Sequence, residues 1–109
     1  MKRIEAIVRR DKLSEVKHAL AAVPHRGLTA YDSTEQEPLG AAVLLSRGTR
    51  RVDDMAPRVS ISLLVDETDA RGAVDAIVRA ASTGHDGDGT VVVVPGEEVV
   101  QISRPAAVA

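Results

Sequence analysis

Two stretches of this chain change from a period of two to a period near 3.6 in the same way. In the first, Ile4, Ala6 and Val8 alternate with Arg3, Glu5 and Ile7, and then Leu13, Val16, Ala19, Leu20 and Val23 recur at helical spacing. In the second, Val59, Ile61, Leu63 and Val65 alternate with Ser60, Ser62 and Leu64, and then Ala70, Ala73, Val74, Ile77, Val78 and Ala81 form a stripe. Alternation marks a half-buried strand, and the 3.6-residue stripe marks an amphipathic helix. A strand–helix unit written twice in one short chain leaves few arrangements open.

The remaining elements follow from turn residues and β-prone runs. Asp11 is the expected cap of a first helix that Pro24 and Gly27 stop, and GLTAYDS (27–33) is a short second strand. The third strand is expected over 58–67 and the second helix over 68–82, capped by Thr68 or Asp66. The valine run 90–94 makes a fourth strand, PGEE a turn, and VVQIS (99–103) a short final strand. The order β-α-β-β-α-β predicts an α+β ferredoxin-like sandwich in a single domain, residues 1–109, with an antiparallel sheet and both helices on one face.

The core of such a sandwich must be built from unusual material. Of 109 residues 44% are apolar, yet there is no Phe or Trp and only one Tyr, so Val, Ala, Leu and Ile must fill the interior. A small domain of this kind gains from burying surface between subunits, which predicts an oligomer. A net charge of −2 gives no basic excess of the kind that nucleic-acid binding needs. The absence of Cys excludes disulfides, thiolate catalysis and Cys-ligated zinc. MKRIEAIVRR alternates and carries charges throughout, unlike a secretory signal, and the apolar runs are too short to span a bilayer. A cytoplasmic protein is expected.

Two segments lie outside this pattern. Residues 34–57 hold two prolines, two glycines, the apolar run Ala41–Leu45 and the basic SRGTRR, which is long for a connection without a period of its own. TGHDGDG (83–89) packs three glycines and two aspartates in front of the valine run. It follows a helix, whereas phosphate loops open one, so bound anions would rely on loop N–H groups and basic side chains and not on a helix dipole. From spacing alone the favoured reading is the simpler one, a helix C-cap at Gly84 followed by a hairpin-like turn over Asp86–Gly89. His85 is expected to be solvated, and two carboxylates (Asp86 and Asp88) are thin support for a cation site.

Taken together, KRIEAIVRRDKLSEVKHAL (2–20), SRGTRRVDDMAPRVSISLLV (46–65) and AASTGHDGDGTVVVV (80–94) resemble the nitrogen regulatory P-II signal-transduction proteins, in register from Met1 to about Ser103. TGHDGDG is similar to that family's B-loop. The resemblance implies a homotrimer with clefts between neighbouring subunits that take an adenine nucleotide. It also implies that 34–57 is a T-loop docking on a target protein such as a transporter or enzyme, with 104–109 a tail. It places Gly87, Asp88 and Gly89 at phosphate- and ribose-holding positions, Ile7 and Leu64 at the positions that sandwich the base, and Thr29 near the base. Arg58 stands where the family has a lysine at the foot of the T-loop.

Departures from the family narrow the ligand. Leu39 replaces the glutamine that helps to hold magnesium and 2-oxoglutarate, and Pro38 replaces the arginine before it. Thr90 replaces the lysine after the B-loop. Gln101 and Ser103 replace two polyphosphate-gripping arginines, with Arg104 one place beyond. Arg51 stands at the tyrosine modified in many members, so covalent switching there is not expected. Each charge-assisted hydrogen bond is worth roughly 1.5–3 kcal/mol, and about 1.4 kcal/mol is tenfold in affinity. The cleft is therefore expected to prefer ADP, AMP or a cyclic nucleotide over ATP, and to take neither magnesium nor 2-oxoglutarate. The expected function is a P-II-like regulator without enzymatic activity, and the alternative is a trimeric interaction module that has lost its small molecule.

Overall fold

The computed structural model describes residues 1–36, 43–46, 49–52, 55–96 and 98–103, with strands 43–46 and 49–52 described by their backbone. The elements run β1 (Lys2–Arg9), α1 (Leu13–Leu20), β2 (Arg26–Gln36), β3 (Val43–Ser46), β4 (Thr49–Val52), β5 (Met55–Val65), α2 (Ala70–Ala81) and β6 (Gly89–Val94). β2, β5, β1 and β6 form one antiparallel sheet in that spatial order, and β3 pairs with β4 as a separate two-stranded ribbon. This is the ferredoxin-like arrangement that the β-α-β-β-α-β order predicts, with the ribbon inserted between β2 and β5.

Alternation places the core. Ile4, Ala6 and Val8 of β1 and Val59, Ile61, Leu63 and Val65 of β5 point to the helical side and are almost fully buried. They meet Val16 and Leu20 of α1 and Ala70, Ala73, Ile77 and Ala81 of α2. The small side chains of the four alanines in that contact let α2 lie close to the sheet, which suits a core without Phe or Trp. Val78, placed in the stripe by its spacing, is 52% exposed and lies at the edge of the buried face.

Both helices begin differently from expectation. Neither Asp11 nor Thr68 nor Asp66 caps through its side chain. Each strand leaves through one extended residue (Arg9, ψ 142°, and Asp66, ψ 151°) into a single 3-10 turn, Arg10–Lys12 or Glu67–Asp69, and the α-helix grows out of that turn. Lys12 and Asp69, which precede the α-helices, are already near-helical (φ −97° and −99°). A capping side chain needs extended backbone at that position, so neither residue can act as one.

Strand lengths differ too. β2 runs to Gln36 and β5 begins at Met55, so the unpatterned segment 34–57 starts and ends inside paired strands. Pro57 is tolerated because β1 ends opposite Arg58, leaving β5 with β2 as its one sheet neighbour at that point. Residues 98–103 form no strand, and Ile102 is 98% exposed, against the expectation of a final strand over 99–103.

Candidate functional site

One end of the sheet collects the residues of interest. α2 stops at Ala81, the chain turns extended at Ser82 (ψ 133°), and residues 83–88 loop back to start β6 beside the last residues of β1. Gly84 therefore does not cap the helix. Its φ of +83° and that of Gly87 (+87°) belong to the loop itself.

Gly89 is fixed by a neighbour. It pairs with Val8 at φ +120°, and a Cβ built on it would stand 1.8 Å from the Ile7 carbonyl oxygen. No other residue fits there, so this glycine is required by the β1–β6 crossing whether or not a ligand binds.

Asp88 organises the loop. One carboxylate oxygen accepts from the Thr83 hydroxyl (2.5 Å) and from Nε of Arg9 (3.0 Å). The other accepts from the amides of Thr83 (2.6 Å) and Gly84 (3.2 Å). Arg9 also donates through Nη2 to the Asp86 carbonyl (3.0 Å). The Thr83 hydroxyl, then the Thr83 amide, hold the Asp88 carboxyl far below the usual carboxylate range; burial opposes them, and Arg9 and then Gly84 add smaller lowering effects. The nest at the head of the loop thus already contains an anion, supplied by the chain. With its oxygens engaged in this way, Asp88 has little left to share with Asp86 around a cation.

The other expected site residues spread along the outer, helix-free face of the sheet. Ile7 is half-buried, opposite Ser60 on one side and Thr90 on the other, and floors an open depression of about 180 Å³ with Tyr31, Ser60, Ser62 and Val92 around it. Thr29 is exposed on β2 opposite Ser62, just after a bulge, with its hydroxyl donating to the Gly27 carbonyl (3.3 Å). Leu64 shares the face at its far end, opposite Arg3. Four residues separate the levels of Ile7 and Leu64, or about 13 Å along the strands. Within one chain the two cannot close on the same ring.

Arg58 lies at the near end but is turned inward. It is 4% exposed, donates through Nη1 to the Pro57 carbonyl (3.0 Å), and holds Nε 3.4 Å from Glu35 Oε1. Arg10, next to it, donates to the Arg58 and Ser33 carbonyls and lies 3.5 Å from Asp32 Oδ1. Gln101 and Ser103 are exposed. Arg104, Pro38 and Leu39 fall outside the described residues. Arg9 was missed in the sequence: in VRRDK it reads as one more polar residue at a strand end, and its partner is 79 positions away.

Fold and site together define a ferredoxin-like domain that carries a clipped glycine loop and a long insertion at the same end of one sheet. The sequence profile of the family described as Nitrogen regulatory protein P-II matches residues 1–106. Nitrogen regulatory protein P-II of Azospirillum brasilense is 40% identical over 102 residues, covering 94% of this chain and 91% of that protein. Nitrogen regulatory protein P-II 2 of Methanothermobacter thermautotrophicus is 37% identical over 105 residues (94% and 89%), and Nitrogen regulatory protein GlnK2 of Haloferax mediterranei is 35% identical over 102 (94% and 83%). The chain belongs to the P-II family of nitrogen regulatory signal-transduction proteins.

Proposed function

We propose that the chain assembles as a homotrimer, binds an adenine nucleotide in the seam between neighbouring subunits, and reports the bound state to a target protein, a transporter or enzyme, through segment 34–57. The observation that carries this reading is the placement of Ile7. It is an apolar residue on an open sheet face, in register with Thr90 at the mouth of the glycine loop, at the end of the sheet where 34–57 departs. An adenine laid on Ile7 would direct its phosphates towards Gly87–Thr90, and Leu64 of a neighbouring copy would supply the second wall.

Two surface features support assembly. β2 is an eleven-residue edge strand exposed on both faces, which natural sheets cover or blunt. Tyr31 (60% exposed) and Val92 (52%) leave apolar area on the outer face beside Ile7.

Local charge sets the ligand. Arg9 is committed to Asp88 and Arg58 to Glu35, so the described cations near the loop are balanced by acids. A ligand with fewer negative charges suits that environment, which favours ADP, AMP or a cyclic nucleotide over ATP. Magnesium with 2-oxoglutarate is not part of the reading, since the Leu39 side chain offers neither an oxygen nor a nitrogen. Binding would act on 34–57 through its differential affinity for two arrangements of that segment. Titration calorimetry with ATP, ADP, AMP and cyclic AMP, on protein whose mass is fixed by sedimentation equilibrium, tests both halves. Saturable heat on a trimer is expected. No heat from any nucleotide, or a monomer in solution, rejects the reading.

One observation favours the second reading, a trimeric interaction module without a small molecule. The Asp88 carboxylate already occupies the Thr83 and Gly84 amides. Under that reading a partner binds with the same affinity with or without nucleotide. A substitution at Gly89 would not separate the two, because any side chain at that position collides with the Ile7 carbonyl and disturbs the fold.

A further inference from the structure

We propose that Arg9 is the positioning residue of the 83–89 loop and the residue that sets how much negative charge its ligand carries. The second half rests on the nucleotide reading above; the first does not.

The geometry is specific. Arg9 is the last residue of β1, on the same face as Ile7, and one edge of its guanidinium takes two acceptors of the loop, Asp88 Oδ1 and the Asp86 carbonyl. Among the described residues, these are the only side-chain hydrogen bonds that reach the loop from outside it. The loop's other side-chain contacts are internal, Asp88 to Thr83 and Gly84 and His85 Nδ1 near the Thr83 carbonyl at 3.2 Å, while its last residue, Gly89, joins the β1–β6 ladder opposite Val8. Asp88 therefore shapes the turn, and Arg9 fixes the turned loop to the sheet. A bidentate guanidinium contact constrains direction as well as distance, which a single ammonium contact does not.

The same contact sets charge. Without Arg9 the loop would present the Asp88 carboxylate, uncompensated, to any incoming phosphate. With Arg9 the pair is neutral. A guanidinium has five N–H donors, and the two described contacts use two of them. The remaining donors have no acceptor among the described residues, and the side chain keeps about a third of its surface in solvent. An anion seated at the loop can therefore bond to Arg9 without breaking the clip. Losing Arg9 should penalise ligands in proportion to their negative charge, most for a triphosphate and least for a monophosphate.

Two measurements test this. The first is amide hydrogen exchange at Thr83 and Gly84 by NMR in the ligand-free protein. Arg9→Met should speed exchange at both amides by about tenfold or more, the factor expected when one charge-assisted tie is lost, with Arg9→Lys in between. Unchanged exchange in Arg9→Met overturns the positioning role. Should that variant fail to fold, Arg9→Gln, which removes the charge and the paired donors while keeping a polar side chain at the strand end, should produce the same acceleration, and no change there overturns the role equally. The second is calorimetric affinity for ADP and AMP. Arg9→Met should weaken ADP by a larger factor than AMP, and equal factors overturn the charge-setting role. If the unaltered protein binds neither nucleotide, the charge-setting half falls with the nucleotide reading, while the exchange result still decides the positioning role.

Discussion

Arg9 stands directly across the β1–β5 ladder from Arg58, and the two guanidiniums turn to different carboxylates. Arg9 reaches Asp88 in the glycine loop, and Arg58 reaches Glu35 at the foot of segment 34–57. Like charges directly opposite on a sheet destabilise it. Here each is neutralised by its own acid, and the two pairs sit side by side between the loop and the insertion.

Arg58→Ala should destabilise the fold. The side chain is 5% exposed and its partner Glu35 is 30% exposed, so removal leaves a half-buried carboxylate without its cation. Because Glu35 can partly rehydrate, the cost is expected at about 2 kcal/mol, below that of a fully buried pair. Urea unfolding measures it, and Arg58→Met combined with Glu35→Gln should recover part of the loss.

Gly89→Ala should lower the melting temperature. The substitution places a methyl group against the Ile7 carbonyl and forces a left-handed φ on a side-chain-bearing residue. Strain of this kind costs about 1–3 kcal/mol, and 1 kcal/mol moves a domain of this size by roughly 4–8 °C. Because the Ile7 backbone must also shift, a fall of at least about 10 °C in a calorimetric scan is the expected outcome.

On α2, neighbours in sequence should behave oppositely. Ile77 is fully buried and Val78 is 52% exposed. Ile77→Ala should cost about 2–5 kcal/mol. Val78→Ala should stay within about 0.5 kcal/mol. Denaturant midpoints of the two variants check the burial assignment directly.

Acid should leave the loop intact until unusually low pH. The Asp88 carboxyl is held below its ordinary value, so its contribution is fully present above the unfolded carboxylate pKa of about 3.9 and is lost only as pH falls through the lower folded value. The carboxyl carbon shift of Asp88, followed by NMR, should stay flat from pH 7 down to about 4, and a midpoint in the ordinary carboxylate range would contradict the clip.

Much of this fold is legible in the residues because burial enforces periodicity. Ile4, Ala6 and Val8 alternate since one face of β1 is dry, and Val16, Leu20, Ala73 and Ile77 recur at helical spacing for the same reason. The glycine loop and Ile7 emerge from the family resemblance, which carries information that spacing does not. What stays hidden is of two kinds. Helix starts depend on backbone angles at one residue: Asp11 and Thr68 have capping chemistry, but a 3-10 turn comes first. The clip depends on topology, because Arg9 meets Asp88 only once β6 is placed beside β1. Knowing the sheet order would have been enough to find it, since Val8 and Gly89 are then neighbours.

The most direct test uses the methyl groups of Ile7 and Leu64. On one chain they lie about 13 Å apart along the sheet, too far to touch one purine. In a seam between copies they would face each other across it. Methyl NMR during an ADP titration should therefore shift both residues along one binding curve, at a protein mass three times that of the chain. Shifts at neither methyl, or saturation in a monomer, would contradict the account.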